Sequence, residues 1–372
     1  MTEEKRMTAP ETSVGADEGQ STISKTIDNI SDYDDDFNEN FFCDPYHLNT
    51  ISMNELYDTV YESRPPLIDG FLYPGTYLFV GAPKLGKSFL MAQIAYHVST
   101  GTKLWDFPVR KGTVLYLALE DDYHRLQKRM YQMFGIESTE DLHFAVNAES
   151  LGNGLDKQLE NFLWDHPKTS LIIIDTLQKV REVSGDNYSY ANDYEIITKL
   201  KNFADEHRLC LILVHHTRKQ QSSDKFDMIS GTNGLLGAAD GAFLLRKEKR
   251  TSNSAVLEVS GRDQQDQKLH LTRNTDRLLW ELQKVETELW KEPPEPLLDQ
   301  IAQFINAENP DWSGTATEFV EALKLDIASN KLTCKLNVNA GKLKSEYHIR
   351  YTSKRGHNGR SISFHYEKRD DA

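Results

Sequence analysis

Long apolar runs are absent from this sequence, and cysteine is scarce. No stretch approaches the roughly 18 consecutive apolar residues that a membrane span needs, which excludes a helical membrane protein. The opening residues MTEEKRMTAPETS lack the apolar core of a secretory leader. Cys43, Cys210 and Cys334 stand alone, with no C-x-x-C pair. An odd, scattered set argues against a disulfide framework and against a zinc ribbon. The expectation is a soluble, reduced, cytoplasmic protein that does not touch a membrane. Hydrophobic residues are only 38% of the 372, so part of the chain is expected to lie outside any packed core.

Positive charge is also in deficit overall, with a net charge of −14. The deficit is uneven. Residues 1–44 carry 12 acids against 3 bases, whereas residues 331–372 carry 10 bases against 4 acids. The whole-chain sign therefore hides a basic C-terminal end, and local charge decides partners more than the sum does.

The pattern divides the chain into three. Residues 1–45 read as an acidic, disordered tail, typified by the Ser31–Asn40 run SDYDDDFNEN. Residues 46–290 alternate apolar strands and helical segments. Strands are expected at Tyr77–Val80, Thr113–Leu119, Leu171–Asp175, Leu209–Val214, Ala242–Leu245 and Ala255–Val259. Helices are expected at Phe89–Ser99, Leu126–Phe134 and Tyr194–Glu206. Continuous apolar strands separated by helices imply a mainly parallel α/β sheet covered on both faces. After the proline-rich stretch Glu292–Pro296, residues 291–372 read as a small α+β domain. Three helices are expected there (Leu297–Ile305, Thr315–Leu323, Lys331–Lys344), then strands Tyr347–Thr352 and Ser361–Tyr366 around a turn at Gly356–Gly359. That order is the outline of a winged helix.

One motif carries chemistry. Gly81-Ala82-Pro83-Lys84-Leu85-Gly86-Lys87-Ser88 fits G-x-x-x-x-G-K-[ST] between an expected strand and an expected helix that begins with Phe89. Glycines let backbone N–H groups turn inward around phosphate oxygens, and the helix N-terminus adds its positive dipole end. Lys87 supplies a charge for the β- and γ-phosphates of ATP, and Ser88 a hydroxyl for Mg²⁺. Asp175 ends an apolar strand, where it can hold Mg²⁺ or cap the next helix. No Glu follows Asp175, so the base for water must come from elsewhere. Glu120, in the acidic triplet that ends the Thr113–Leu119 strand, is the candidate; the alternative is that these acids simply cap the next helix.

GAPKLGKS, VLYLALEDD, LIIIDT, LILVHHTRK and GTNGLLGAADGAFLL occur in that order across residues 65–285. The set resembles the RecA-type ATPases, and among them the RepA-like family of hexameric replicative helicases of plasmids, phages and integrative elements. The resemblance implies a RecA-like core with a catalytic glutamate at Glu120, a Mg²⁺-linked acid at Asp175, and a γ-phosphate sensor at His216 or His215. It also implies an arginine finger acting on a neighbouring subunit, at Arg262 or, second, Arg246. Expected partners are single-stranded DNA in the channel of a hexameric ring, duplex DNA at the C-terminal domain, and replication proteins. Arg218, Lys219 and Lys225 in the loop 217–232, and Arg181 with Tyr188 and Tyr190 in the loop 179–192, would face the channel. In the C-terminal domain, Lys335, Asn337, Asn339, Lys342 and Lys344 on the third helix, and Lys354, Arg355, His357 and Arg360 around the wing, are the candidate DNA contacts. The same ATP site would also serve a recombination mediator or initiator that does not unwind, or a protein-binding signalling ATPase.

Overall fold

The computed structural model describes residues 48, 50–61, 65–181, 190–216, 234–247, 249, 252–262, 264–287, 295–356 and 359–367. The expected acidic tail, most of both channel loops (with Arg218, Lys219, Lys225 and Tyr188), the start of the proline-rich stretch and His357 lie outside the described residues.

The described elements run α1 (Met53–Asp58), β1 (Gly75–Gly81), α2 (Lys87–Thr100), β2 (Thr113–Ala118), α3 (Tyr123–Phe134), β3 (Leu142–Ala145), α4 (Leu155–Asp165), β4 (Thr169–Asp175) and α5 (Leu177–Val180). They continue with α6 (Tyr190–Glu206), β5 (Cys210–His216), α7 (Gly234–Ala238), β6 (Gly241–Arg246), β7 (Ser254–Gly261), β8 (Gln267–Arg273) and β9 (Trp280–Thr287). The C-terminal part comprises α8 (Pro296–Phe304), β10 (Asp311–Thr315), α9 (Ala316–Leu323), α10 (Ser329–Val338), α11 (Ala340–Tyr347), β11 (Ile349–Gly356) and β12 (Gly359–Tyr366).

The main sheet has the order β3-β2-β4-β5-β1-β6-β7-β8-β9. Strands β3 through β6 are parallel, and β7 to β9 are antiparallel. The fold is thus the α/β class expected. Two features go beyond the sequence reading: β8 and β9 widen the sheet, and β3 is a short outer strand. Alternation along β4 shows why two apolar faces are needed. Leu171 and Ile173 enter one core with Leu90, Met91, Tyr116 and Leu126. Ile172 and Ile174 enter the other with Leu155, Leu159, Ile197 and Leu200. A strand buried on both sides has no polar face, so its sequence is an unbroken apolar run.

In the C-terminal part the expected Lys331–Lys344 helix is two helices. Asn339 breaks it, with φ −99° and ψ 11°, and its side-chain amide caps the carbonyl of Lys335 at 2.8 Å. Asn337, expected to face a ligand, is buried instead. It accepts a hydrogen bond from the Tyr351 hydroxyl at 3.0 Å and donates to the Tyr57 carbonyl at 2.8 Å. An extra strand, β10, pairs with β12 to give a sheet of order β10-β12-β11. Its core is aromatic: Phe319 lies 4.5 Å from Trp312 and 4.6 Å from Phe364, ring centre to ring centre. Truncating a fully buried phenylalanine leaves a cavity worth about 3–5 kcal/mol. Phe319→Ala should therefore lower the unfolding free energy of the C-terminal part by that amount while nucleotide binding survives. Urea unfolding followed by tryptophan fluorescence, with a parallel nucleotide titration, checks this.

Candidate nucleotide site

Parallel strands end on the same edge of the sheet, and the candidate groups come from four adjacent ends. Gly81 at the end of β1 pairs with His216 at the end of β5. Asp175 at the end of β4 pairs with Ala118 of β2, two residues before Glu120. The chain leaves β1 through the 81–88 loop and enters α2. Gly86 has φ 97°, and a Cβ there would stand 3.2 Å from the Trp280 ring. Glycine is therefore needed for both reasons. A Cβ at Gly81 would meet the Leu245 carbonyl at 2.7 Å, so this glycine lets β1 and β6 approach. No side chain caps the first turn of α2, which leaves its N–H groups available to an anion.

Lys87 is buried, and its ammonium donates to the carbonyls of Gly81 at 2.7 Å and Ala82 at 3.1 Å. It also lies 2.8 Å from Nδ1 of His216. Burial pulls the Lys87 pKa down to about 8, against the raising effect of Asp175 and Glu120. Burial and the Lys87 charge lower the His216 pKa as well, so the neutral ring accepts from the ammonium. His216 Nε2 in turn lies 4.0 Å from Glu120 Oε1. The structure brings His216 to this cluster, while His215 is buried in the sheet. Glu120 is half-exposed and accepts a hydrogen bond from Thr176 Oγ1 at 3.2 Å.

Asp175 is buried. Burial raises its pKa, opposed by hydrogen bonds from Ser88 and Tyr116. The Tyr116 hydroxyl donates to Asp175 Oδ2 at 2.9 Å. Ser88 and Asp175 thus present two oxygen donors side by side, which suits Mg²⁺, an ion that takes few protein ligands beside phosphates and water. Among the described residues no group of three or more His, Cys, Asp or Glu competes for a metal.

Residues 44–222 match the model of an AAA domain family. The match takes in the phosphate loop, Glu120, Asp175 and His216, and spans slightly less than half of the chain. The matched stretch is similar to that family and carries the phosphate loop on the mainly parallel part of the sheet. Among solved structures, one isolated ATPase domain is 16% identical, covering 57% of this chain and 85% of that one with a TM-score of 0.48. A DnaB-like replicative helicase, described with its interactions with primase, is 17% identical over 56% of this chain at a TM-score of 0.47. This chain spans 57% of that helicase's length. The KaiC-like protein PH0186 of Pyrococcus horikoshii OT3 is 15% identical, covering 60% of this chain and 99% of its own, at a TM-score of 0.44. No curated protein matches.

The two candidate fingers stand apart from this cluster. Arg246 ends β6 on the phosphate edge, but its guanidinium pairs with Glu258 across β7. Arg262 follows β7, which runs the other way, so it leaves the opposite edge. Its side chain is 60% exposed and donates to the Gly237 carbonyl at 3.0 Å. Arg181, expected on a channel loop, is buried at the C-terminal end of α5, next to Val180, whose carbonyl accepts from Leu151 N–H at 2.8 Å. Of the C-terminal cations, Lys335 pairs with Glu295 at 2.7 Å. Arg360 pairs with Asp58 at 2.7 Å, and Arg355 lies 4.0 Å from the same carboxylate. Lys344 and Lys354 are exposed, and Lys342 is half-buried.

Sequence reasoning missed three groups at this site. Tyr116 orients Asp175, and its signal was a hydroxyl inside an otherwise apolar strand, which must find a partner. Thr176 binds Glu120. Trp280 donates from Nε1 to the Gly86 carbonyl at 3.2 Å, and nothing in its local sequence announces this.

A phosphate placed against Lys87 favours the ammonium over the amine. Nucleotide binding should therefore take up protons when the pH is above about 8, and affinity should fall as pH rises through that value. Calorimetry in two buffers of different ionisation enthalpy measures the proton count; release of protons would contradict the assignment of Lys87.

Proposed function

We propose that this chain hydrolyses ATP to drive movement on DNA, as a helicase or translocase of the RepA-like type that replicates a plasmid, phage or integrative element. The observation that carries the ATPase reading is the convergence of Lys87, Ser88, Glu120, Asp175 and His216 at one sheet edge. The fold of residues 46–290 is the catalytic domain in this reading, and residues 291–372 are a winged-helix domain. Six copies form a ring, with an arginine finger, Arg262 or Arg246, of each acting on the next subunit's nucleotide.

In the hydrolysis step Lys87 holds the β- and γ-phosphates and spreads their developing charge. Glu120 accepts a proton from the attacking water, and Thr176 fixes its orientation. Ser88 and Asp175 would hold Mg²⁺, which would neutralise phosphate charge when bound. His216 touches Lys87 and approaches Glu120. It directly precedes residues 217–233, which carry Arg218, Lys219 and Lys225. A change in the charge that Lys87 faces is thereby passed to a basic segment suited to a single-stranded backbone.

The C-terminal order α8-β10-α9-α10-α11-β11-β12, with β12 in the middle of its sheet, supports the winged-helix reading. Its exposed cations suit a duplex backbone. Asp58, from α1, occupies Arg360 and neighbours Arg355. Asp58→Asn should therefore tighten duplex binding several-fold and steepen its salt dependence by about one phosphate contact, read by fluorescence anisotropy across a salt series.

Steady-state ATP hydrolysis with and without single-stranded DNA tests the main proposal, with Lys87→Ala as the blank. Strong stimulation by DNA is the expected result, with strand displacement on a forked duplex. Stimulation without displacement would favour a mediator or initiator, and hydrolysis indifferent to DNA would sink the motor in favour of a protein-gated switch.

A further inference from the structure

Beside the phosphate loop stands a cluster of cations with too little acid among the described residues to balance it. Arg129 comes from α3, Lys247 directly follows β6, and Arg273 ends β8. The Arg273 guanidinium lies 4.2 Å from the ring centre of Phe89, and that of Arg129 lies 4.9 Å from the same ring. Lys247 lies 5.6 Å from the ring centre of Trp280. Arg129 is compensated, because Asp121 accepts from both of its terminal nitrogens at 2.6 and 3.2 Å. Arg273 is not: its Nε is buried without a hydrogen-bond partner among the described residues. Burial lowers the Arg273 pKa, and the charge of Arg129 lowers it further. Burial and Arg273 do the same to Lys247.

A half-buried arginine with no acid partner among the described residues is costly to keep, and here the fold holds it in place. Gln93 of α2 and Trp280 of β9 exchange two hydrogen bonds, at 2.9 and 2.8 Å, which pin the β8–β9 hairpin to the phosphate-loop helix. Arg273 Nη1 stands 3.4 Å from where a Cβ on Gly86 would be. Phe89 directly follows Ser88 in the first turn of α2. Lys87, Glu120 and His216, the groups of the cleavage step, neighbour one another, and none of them is a partner of Arg273.

We infer that Arg273 is a nucleotide-binding residue whose guanidinium takes up the negative charge of the phosphate next to the ribose. A nucleoside triphosphate and its diphosphate both carry that phosphate. The inference rests on the ATPase reading above and extends it to a hairpin that lies outside the AAA-type match.

The test titrates the full chain with the fluorescent diphosphate mant-ADP and, by competition, with non-hydrolysable AMP-PNP. The variants are Arg273→Gln and Arg273→Lys, each also melted without nucleotide. Losing a charge-assisted hydrogen bond should weaken both nucleotides by about tenfold or more, by the same factor. Arg273→Lys keeps the charge but loses the planar fork, so it should fall between wild type and Arg273→Gln. If Arg273→Gln does not fold, the lysine variant decides by the same comparison. A variant that melts lower yet binds both nucleotides like wild type would make Arg273 a packing clamp and overturn the inference. A loss confined to AMP-PNP would overturn it too, by moving the contact to the terminal phosphate. Wild-type protein that takes up neither nucleotide would bring down the ATPase reading itself, whereas wild-type binding with Arg273→Gln unaffected brings down this inference alone.

Discussion

The ammonium of Lys87 is carried into a site where water reaches it poorly, and no carboxylate of the described residues touches it. Two carbonyls of its own loop and the ring of His216 hold it instead. A direct salt bridge would stabilise the charge better, but it would also compete with phosphate for it. The acids nearest in function, Asp175 and Glu120, act on Lys87 only through space. This arrangement requires the loop carbonyls to stay where they are. The close approach of β1 and β6 at Gly81 and the Trp280 bond to Gly86 fix the two ends of the loop. A buried cation supported by dipoles alone needs a rigid frame, since dipoles that turn away leave it unsolvated.

That frame explains the antiparallel half of the sheet. Strands β7 to β9 contribute none of the groups that would cleave ATP. They bring Trp280 against the phosphate loop, where it is nearly inaccessible and accepts from both Gln93 and Trp105 through its carbonyl. Gln93 is a buried amide within a helix of mixed burial, and it meets Trp280 through backbone groups alone. Replacing backbone pairing by a side-chain amide is how a helix can be stitched to a strand it cannot join in a ladder.

The legible parts of the sequence are those where one constraint dominates locally. The phosphate loop is readable because tight turning and close backbone approach demand glycine at fixed spacing. Strands β1, β2, β4 and β5 are readable because burial on both faces removes polar residues. The outer strands obey a weaker rule. QKLHLTR in β8 alternates buried and more exposed residues, and WELQKVET in β9 buries Trp280, half-buries Leu282 and exposes the rest, so they resemble charged surface segments. Strand β3 is four half-buried residues, too short for any period. The Lys331–Lys344 segment keeps a helical period across Asn339, so the break leaves no mark in the pattern. Asn337 and Arg181 look ligand-facing because they are polar, but each is buried. Polarity predicts a partner, not whether that partner lies outside the protein.

The charge balance poses a related question for any DNA-bound state. The chain carries −14 overall, yet screening at physiological salt confines each charge to about 8 Å. In the reading proposed above, the acids of residues 46–290 therefore do little to repel a duplex held at the C-terminal part. An acid already within contact distance of the basic residues matters far more, and Asp58 is one, bonded to Arg360. That bond lowers the Asp58 pKa, so the carboxylate stays ionised and the pairing persists at neutral pH. Exposed ion pairs of this kind are worth little, which means a phosphate backbone can displace Asp58 at small cost. In the DNA-binding reading proposed above, the contact is thus too weak to block a phosphate backbone.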